Sequence, residues 1–198
     1  MKSTIIIKSF NEPPFCEKEI LRYAGCKIPS DDVTMLMKKC IEEARDKISY
    51  KLCFRLLPVR IKDSFCDFNF LSLESKNLAE NLAGCSEAIV FSATIGIGID
   101  RLITKYSKIS PSKALMMQAI GAERIEALCD SFVNDLKKEK NMKPMPRFSP
   151  GYGDLPLSVQ KDIFYVLDCP KNIGLTLNDS LLMSPTKSVT AFIGLYDT

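Results

Sequence analysis

Histidine and tryptophan are both absent from this sequence, and none of its eight cysteines belongs to a Cys-x-x-Cys pair. Histidine is the usual general base of nucleophilic triads and a common zinc and haem ligand. Its absence excludes histidine-dependent triads, and the absence of paired cysteines argues further against structural zinc. We therefore expect no catalytic side chain of these types and no metal site.

A long apolar run is also missing. The best stretch, Ile89 to Ile99, is interrupted by Ser92, Thr94 and two glycines, and it is shorter than the about 18 residues that a membrane span needs. Near the start of the sequence the apolar run covers only residues 5–7, which is too short for a secretory signal. We expect a cytoplasmic protein with no membrane partner.

The sequence carries no strong charge of either sign. Its 27 basic and 24 acidic residues are mixed along the chain and give a net charge of +3. A nucleic-acid backbone is held by a concentrated positive field, which this distribution does not supply. With 198 residues, 46% of them hydrophobic, the chain is long enough to bury a core, and we expect residues 1–198 to form a single domain with no nucleic-acid partner.

The eight cysteines are scattered along the whole chain rather than clustered. Without a secretion signal, such spacing favours reduced and mostly buried thiols over a disulfide framework. A thiol-based redox or metal protein is the alternative, and slow alkylation of the folded chain would argue against it. The residues concerned are Cys16, Cys26, Cys40, Cys53, Cys66, Cys85, Cys129 and Cys169.

Hydrophobic periodicity predicts helices and strands in comparable numbers. The fold class expected is α+β, with a mixed, mainly antiparallel twisted sheet and helices packed against it. Predicted helices cover Glu17–Ala24, Val33–Ile48, Ser75–Leu82, Ser110–Leu136 and Leu157–Leu167; predicted strands cover Thr4–Ser9, Tyr50–Ile61, Phe65–Leu73, Ala88–Ala93, Gly174–Asn178, Leu181–Ser184 and Ser188–Leu195.

Two weaker patterns each allow two interpretations. Gly96-x-Gly98-x-x-Arg101 follows a predicted strand and fits either close strand-to-helix packing or, less well, phosphate binding, because the third glycine of the dinucleotide fingerprint is replaced by arginine. Glu126 and Asp130 lie four residues apart on the longest predicted helix. They either form a solvated face or, since Glu126 borders the apolar stripe, include an acid able to hold an ammonium group.

The octapeptide Arg147-Phe-Ser-Pro-Gly-Tyr-Gly-Asp154 has the most unusual composition of the chain. Pro150 restricts the backbone, and Gly151 and Gly153 flank Tyr152. A rigid bend of this kind presents a guanidinium, an aromatic ring and bare peptide N–H groups to one small ligand. An arginine fork suits a carboxylate. The alternative is an ordinary tight turn with a surface arginine.

This octapeptide is followed by a predicted helix and then by Ile173-Gly-Leu-x-Leu-Asn-Asp-Ser180, Met183-x-Pro185 and Ser188-Val-Thr-Ala191. The ordered set resembles the activation domain of cobalamin-dependent methionine synthase, which has Arg-x-x-x-Gly-Tyr, then Gly-Met-x-Leu-Thr-Glu-Ser, then Met-x-Pro-x-x-Ser-Val-Ser-Gly. The likeness covers about 50 residues at nearly constant spacing. It continues more weakly through residues 93–96 and 122–136, so the chain looks like a free-standing bacterial version of that domain.

The resemblance implies a function. Members of the family bind S-adenosylmethionine and support reductive methylation of cob(II)alamin in the partner methionine synthase or a related corrinoid protein, with an electron from a donor such as flavodoxin. Such a domain orients two cofactors and needs no catalytic base, which agrees with the absence of histidine. The alternative function is a non-catalytic docking or chaperone module for a corrinoid protein.

The resemblance also implies roles for particular residues. Arg147 matches the arginine that binds the ligand carboxylate, and Tyr152 matches the tyrosine beside the sulfonium. Gly151 and Gly153 would let the backbone approach the nucleoside. Glu126 or Asp130 corresponds to an acid of the family's long helix, and Glu12 is a candidate for the acid that meets the ligand's amino group. The sequence departs from the family where Gly-Tyr-Pro-Ala-Cys is replaced by residues 151–155, Gly-Tyr-Gly-Asp-Leu.

Overall fold

The computed structural model describes residues 4–139 and 143–196. It contains a five-stranded sheet, a three-stranded sheet and a two-stranded sheet. The strands in chain order are β1 Ile6–Phe10, β2 Tyr50–Pro58, β3 Arg60–Lys62, β4 Phe65–Asp67, β5 Ser72–Glu74, β6 Cys85–Thr94, β7 Lys143–Pro144, β8 Thr176–Leu177, β9 Met183–Ser184 and β10 Ser188–Tyr196.

The five-stranded sheet has the order β1-β2-β6-β10-β7. Every strand pair within the described residues is antiparallel, in this sheet and in the sheets β3-β4-β5 and β8-β9. The central strand β6 pairs with β2 on one side and with β10 on the other, so that Cys53, Ser92 and Thr190 form one row across three strands. The predicted α+β fold with a mainly antiparallel sheet is confirmed.

Helices cover both faces of this sheet. They are α1 Glu17–Tyr23, α2 Asp31–Arg45, α3 Lys76–Asn81, α4 Gly98–Ile109, α5 Pro111–Lys138, α6 Gln160–Leu167 and α7 Cys169–Ile173, with a 3₁₀ turn at Leu157–Val159. On the first face α1, α2, α4 and α5 pack on alternate strand residues such as Phe91 and Ile193. On the second face α3, α6 and α7 pack on residues such as Val90 and Phe192.

The two-sided covering explains the sequence of β6. A strand with one solvated face alternates apolar and polar residues, whereas a strand buried on both faces reads as a nearly continuous apolar run. In β6 every residue from Ala88 to Thr94 is buried. This stretch contains the first six residues of the best apolar run of the sequence, Ile89 to Ile99.

The long helix α5 begins with Pro111 in its first turn, where the missing N–H costs no hydrogen bond. Its apolar stripe includes Ile120, Leu128 and Phe132, which are almost wholly buried against the sheet. Two of its acidic residues, Glu126 and Asp130, contact Arg147, which follows the edge strand β7, whereas Asp135 pairs with Lys8 of β1.

The structure corrects several predicted boundaries. The single strand expected at Phe65–Leu73 is two strands, β4 and β5, because a tight turn forms where Phe68 N–H donates to the carbonyl of Leu71. The helix expected to end at Ile48 ends at Arg45. The helices α4 and α7 had no separate prediction, and the strand expected at Leu181–Ser184 shortens to β9.

The close-packing interpretation of Gly96 and Gly98 agrees with the structure. Gly96 has φ +80°, and a Cβ on Gly98 would overlap the carbonyl oxygen of Lys47. These glycines therefore let the start of α4 pack against the segment that follows α2. Among residues 4–139 and 143–196, no helix is both long and apolar enough to cross a membrane.

Candidate functional site

A cleft of about 380 Å³ lies at the edge of the five-stranded sheet, between the helices of its two faces. The first helical layer contributes Glu126 from α5, and the second contributes Gln160 from α6. The octapeptide supplies Arg147 and Tyr152, so the two side chains singled out in it face one common cleft. The lining residues are Glu126, Arg147, Phe148, Ser149, Pro150, Tyr152, Gln160, Met183, Ser188, Val189 and Thr190.

Arg147 lies between the two acids of α5. Its Nη2 donates to Glu126 Oε2 at 3.0 Å and to Asp130 Oδ1 at 2.9 Å. The Arg147 side chain is 23% exposed, that of Glu126 44% and that of Asp130 67%. Glu126 lines the cleft and Asp130 lies just outside it. The neighbouring Cys129 is buried, which raises the pKa of its thiol to about 12 and keeps it neutral beside the guanidinium.

Three backbone hydrogen bonds fix the bend that carries Tyr152. Tyr152 N–H donates to the carbonyl of Ser149 at 3.2 Å, and Gly151 N–H donates to the carbonyl of Leu155 at 2.9 Å. Leu155 N–H in turn donates to the carbonyl of Tyr152 at 3.0 Å. Gly151 has φ +92°, a conformation that a residue with a Cβ rarely adopts. The bend leaves the Tyr152 ring 69% exposed at the mouth of the cleft.

Asp154 anchors the other end of the octapeptide to α3. Its carboxylate accepts hydrogen bonds from the Ser75 hydroxyl at 2.5 Å, from Lys76 N–H at 2.7 Å and from Asn77 N–H at 3.3 Å. These donors, the Ser75 hydroxyl first, hold the pKa of Asp154 below its usual value. Asp154 N–H in turn donates to Asn77 Oδ1 at 3.2 Å.

This anchoring accounts for the departure from Gly-Tyr-Pro-Ala-Cys. Gly153 has φ +54°, and a Cβ there would overlap Asn77 Oδ1. The close approach between residue 153 and α3 therefore requires glycine. Asp154 then reaches the backbone N–H groups at the start of α3.

The edge of β10 forms the floor of the cleft. Phe148 and Phe192 exchange two backbone hydrogen bonds, of 2.9 Å and 2.8 Å, and pairing of β10 with the octapeptide stops there. Pro150 has no N–H to continue the ladder. Residues 188–190 of β10 thus reach the cleft without a neighbouring strand on that side.

One predicted residue, Glu12, lies outside the cleft. Glu12 pairs with Arg45 at 2.6 Å and lines a separate depression beside β1 and β2, so it does not reach the cleft. A larger groove of about 1370 Å³, lined in part by Phe68, Phe164 and Tyr165, contains none of the predicted site residues.

Most of the cysteines lie apart from one another, but the side chains of Cys53 and Cys169 are hydrogen-bonded neighbours. Six of the eight are buried, whereas Cys16 is exposed and Cys26 is half-buried. Cys169 Sγ–H donates to Ser92 Oγ at 3.2 Å on the second face of the sheet. Within the described ranges no group of three or more histidine, cysteine or acidic side chains is arranged to hold a metal ion.

Gln160 and Thr190 line the cleft but are not among the site residues predicted from the sequence. Gln160 is the first residue of α6, eight positions after Tyr152, and Thr190 belongs to the Ser-Val-Thr-Ala element of β10. Both are buried, with Gln160 6% and Thr190 2% exposed. In the sequence Gln160 stands among other polar residues, namely Ser158, Lys161 and Asp162, so no local signal marked it, whereas Thr190 is a polar residue within the mainly apolar strand β10.

Comparison with known proteins decides the family. Residues 60–197 match the family described as the vitamin B12 dependent methionine synthase, activation domain. The chain belongs to this family. The matched span contains every predicted site residue except Glu12, namely Glu126, Asp130, Arg147, Gly151, Tyr152 and Gly153.

A solved structure supports the fold over nearly the whole chain. The crystal structure of the MetH reactivation domain bound to AdoHcy superposes with a TM-score of 0.74 at 12% identity, covering 98% of this chain and 79% of that chain. No match was found among the curated proteins. This chain therefore has the activation-domain fold, including residues 4–59, which precede the matched span.

Proposed function

We propose that this activation domain binds S-adenosylmethionine in the cleft of Arg147 and Tyr152 and acts in the reductive reactivation of a cobalamin-dependent methionine synthase. The single observation that carries the proposal is the convergence of Arg147, Glu126 and Tyr152 on one cleft of about 380 Å³. That volume lies in the range of small-molecule sites. The MetH reactivation domain of similar fold was crystallised with AdoHcy, the product form of this ligand.

The side chains present suit the amino-acid end of such a ligand. The Arg147 fork pairs with the carboxylate, and Glu126 lies on the same guanidinium, where it accepts a hydrogen bond from the ammonium group. The exposed ring of Tyr152 offers a π face to a sulfonium at the mouth of the cleft. The bound sulfonium supplies an activated methyl group, and the cobalt that accepts it belongs to the partner protein.

The protein's own contribution is binding and positioning. Arg147 and Glu126 fix one end of the ligand, the bend at residues 149–155 sets the place of Tyr152, and Asp154 anchors that bend to α3. Holding two reactants in a productive orientation accelerates transfer without an acid or base on the protein. The electron is delivered by a separate donor, for which a flavodoxin is suitable, and the proposed setting is the cytoplasm.

One observation favours a second candidate, a docking or chaperone module that has lost the ligand. The Arg147 guanidinium is already engaged by Glu126 and Asp130, so its charge is satisfied without a carboxylate ligand. Titration calorimetry of the full chain with S-adenosylmethionine separates the two. Micromolar binding that is lost in Arg147→Ala and kept in Arg101→Ala, a change at an exposed arginine of α4, supports the ligand-binding function. The absence of heat, with or without the cobalamin-carrying partner, supports the docking module.

A further inference from the structure

Two buried oxygens in the cleft have no hydrogen-bond partner. Four side-chain oxygens are buried and unpaired within residues 4–139 and 143–196, and two of them, Gln160 Oε1 and Thr190 Oγ1, belong to residues that line this cleft. Nearly all buried polar groups in folded proteins are paired. Two exceptions in one small cleft indicate that a ligand completes their hydrogen bonding.

The backbone of Thr190 also indicates a ligand at this place. Phe192 exchanges both of its outward hydrogen bonds with Phe148, and in an antiparallel strand the residue two positions away directs its N–H and C=O to the same edge. Thr190 is that residue, and opposite it the octapeptide has turned away at Pro150. A backbone donor, a backbone acceptor and a hydroxyl therefore lie together at the floor of the cleft.

Charge divides the cleft into two parts. The ionic groups are Arg147 and Glu126, which are paired with each other. Gln160 and Thr190 are neutral, and each is more than nine-tenths buried. An ammonium or carboxylate group is best placed beside ionic partners, whereas an unionised heterocycle suits a carboxamide and a hydroxyl.

We propose that Gln160 and Thr190 recognise the 6-amino edge of the ligand's purine base. Gln160 Oε1 accepts a hydrogen bond from the 6-amino group, and the Thr190 hydroxyl donates one to the adjacent ring nitrogen. A carboxamide is a well-known partner of this edge of adenine. The assignment rests on the proposed function, which places a nucleoside in this cleft, and it makes these two residues determinants of base specificity.

The test compares S-adenosylhomocysteine with S-inosylhomocysteine, in which an oxo group replaces the 6-amino group. Calorimetry of the full chain is expected to show binding of the adenine compound at least about tenfold tighter, because a carbonyl oxygen then faces Gln160 Oε1. Gln160→Met and Thr190→Val should each weaken S-adenosylhomocysteine about tenfold, and Gln160→Met should reduce the preference to about twofold. Gln118→Met and Thr104→Val, changes at exposed helix positions, serve as matched controls.

The melting temperature distinguishes a role of Thr190 in recognising the base from a role in stabilising the fold. Thr190→Val keeps the shape of the side chain and removes an unpaired hydroxyl, so its melting temperature should equal or exceed that of the wild type. This variant also keeps the test valid if Gln160→Met does not fold. Equal affinity for the two nucleosides in the wild type overturns the inference, as does unchanged binding by Thr190→Val.

A ligand fragment distinguishes failure of the inference from failure of the proposed function. 5′-Methylthioadenosine carries the base but no amino-acid end, so its binding should depend on Gln160 and Thr190 and be the same in Arg147→Ala. If S-adenosylhomocysteine binds but the base preference is absent, only the recognition by Gln160 and Thr190 is wrong. If neither compound binds, both proposals are wrong.

Discussion

Arg147 Nη2 lies 3.0 Å from Glu126 Oε2, and Glu126 is the one of its two acidic partners that lines the cleft. Asp130 contacts the same nitrogen at 2.9 Å from a position that is 67% exposed. Interactions with so exposed a carboxylate are screened by solvent. Glu126, the acid that borders the apolar stripe in the sequence, is therefore the one that reaches the cleft, and the two acids are unequal in the structure.

The first prediction follows from this inequality. Glu126→Gln should weaken binding of S-adenosylmethionine about tenfold, because the neutral amide no longer attracts the ligand's ammonium group. Asp130→Asn should change the affinity by less than about twofold. Calorimetry on the two variants measures both values, and equal losses would show that the acids act only as a pair on Arg147.

The second prediction concerns the anchor of the octapeptide on α3. The Ser75 hydroxyl and the N–H groups of residues 76 and 77 lower the pKa of Asp154. The ionised carboxylate therefore stabilises the fold above the ordinary aspartate pKa of about 3.9, and the stabilisation is lost as the pH falls through the lowered pKa of the folded state.

Asp154→Asn should accordingly lower the melting temperature at pH 7 and converge with the wild type as the pH falls below about 4. The variant should also bind S-adenosylmethionine more weakly, since the bend that carries Tyr152 loses its attachment. Asp179→Asn, a change at an exposed position, is the matched control. A difference between Asp154→Asn and wild type that is constant with pH would contradict the assignment.

The sequence predicted the octapeptide as a rigid bend but not its means of support. Pro150 and Gly151 predict a turn because their own backbone preferences favour one. The contacts of Gly153 and Asp154 with Asn77 join residues 76 and 77 positions apart, and nothing in the local sequence encodes such a pairing. The sequence therefore predicted the turn itself, whereas the hydrogen-bond partners of Gly153 and Asp154 depend on the tertiary fold.

For the two acids of α5, too, the sequence predicted the local arrangement but not the tertiary contacts. Their spacing placed Glu126 and Asp130 on one face of α5, and in the structure both carboxylates contact the Arg147 guanidinium. Which of them enters the cleft depends on how α5 lies across the sheet. Helix α4 had no prediction of its own because its opening glycines resemble a turn, although Ile99, Leu102 and Tyr106 form a buried stripe.

The third prediction concerns the thiols. Burial raises the pKa of Cys66 to about 11 and that of Cys129 to about 12, so neither is a reactive thiolate at neutral pH. A thiol reagent such as 5,5′-dithiobis(2-nitrobenzoate) should label Cys16 and Cys26 within minutes, and the remaining six only after denaturant is added. Rapid labelling of all eight in the folded chain would instead favour the thiol-based alternative.

The fourth prediction concerns Arg124, the largest wholly buried side chain in the described structure. Its guanidinium donates to the carbonyls of Pro13 and Pro14 at 2.6 Å and 2.7 Å, pairs with Glu123 and stacks on Phe15 at 3.8 Å from the ring centroid. Arg124→Met leaves the Glu123 carboxylate buried without its cation, which typically destabilises a protein by about 3–5 kcal/mol.

Urea denaturation should show that loss for Arg124→Met and less than about 0.5 kcal/mol for the exposed control Arg101→Met. The double variant Glu123→Gln/Arg124→Met should recover at least about half of the loss, because no unpaired charge remains in the core. Hydrogen exchange at Cys16 N–H, which donates to Glu123 Oε1 at 3.1 Å, reports whether the N-terminal segment has detached from α5. Equal stability of the single and double variants would show that the lost contacts to Pro13 and Pro14, rather than the stranded charge of Glu123, account for the destabilisation.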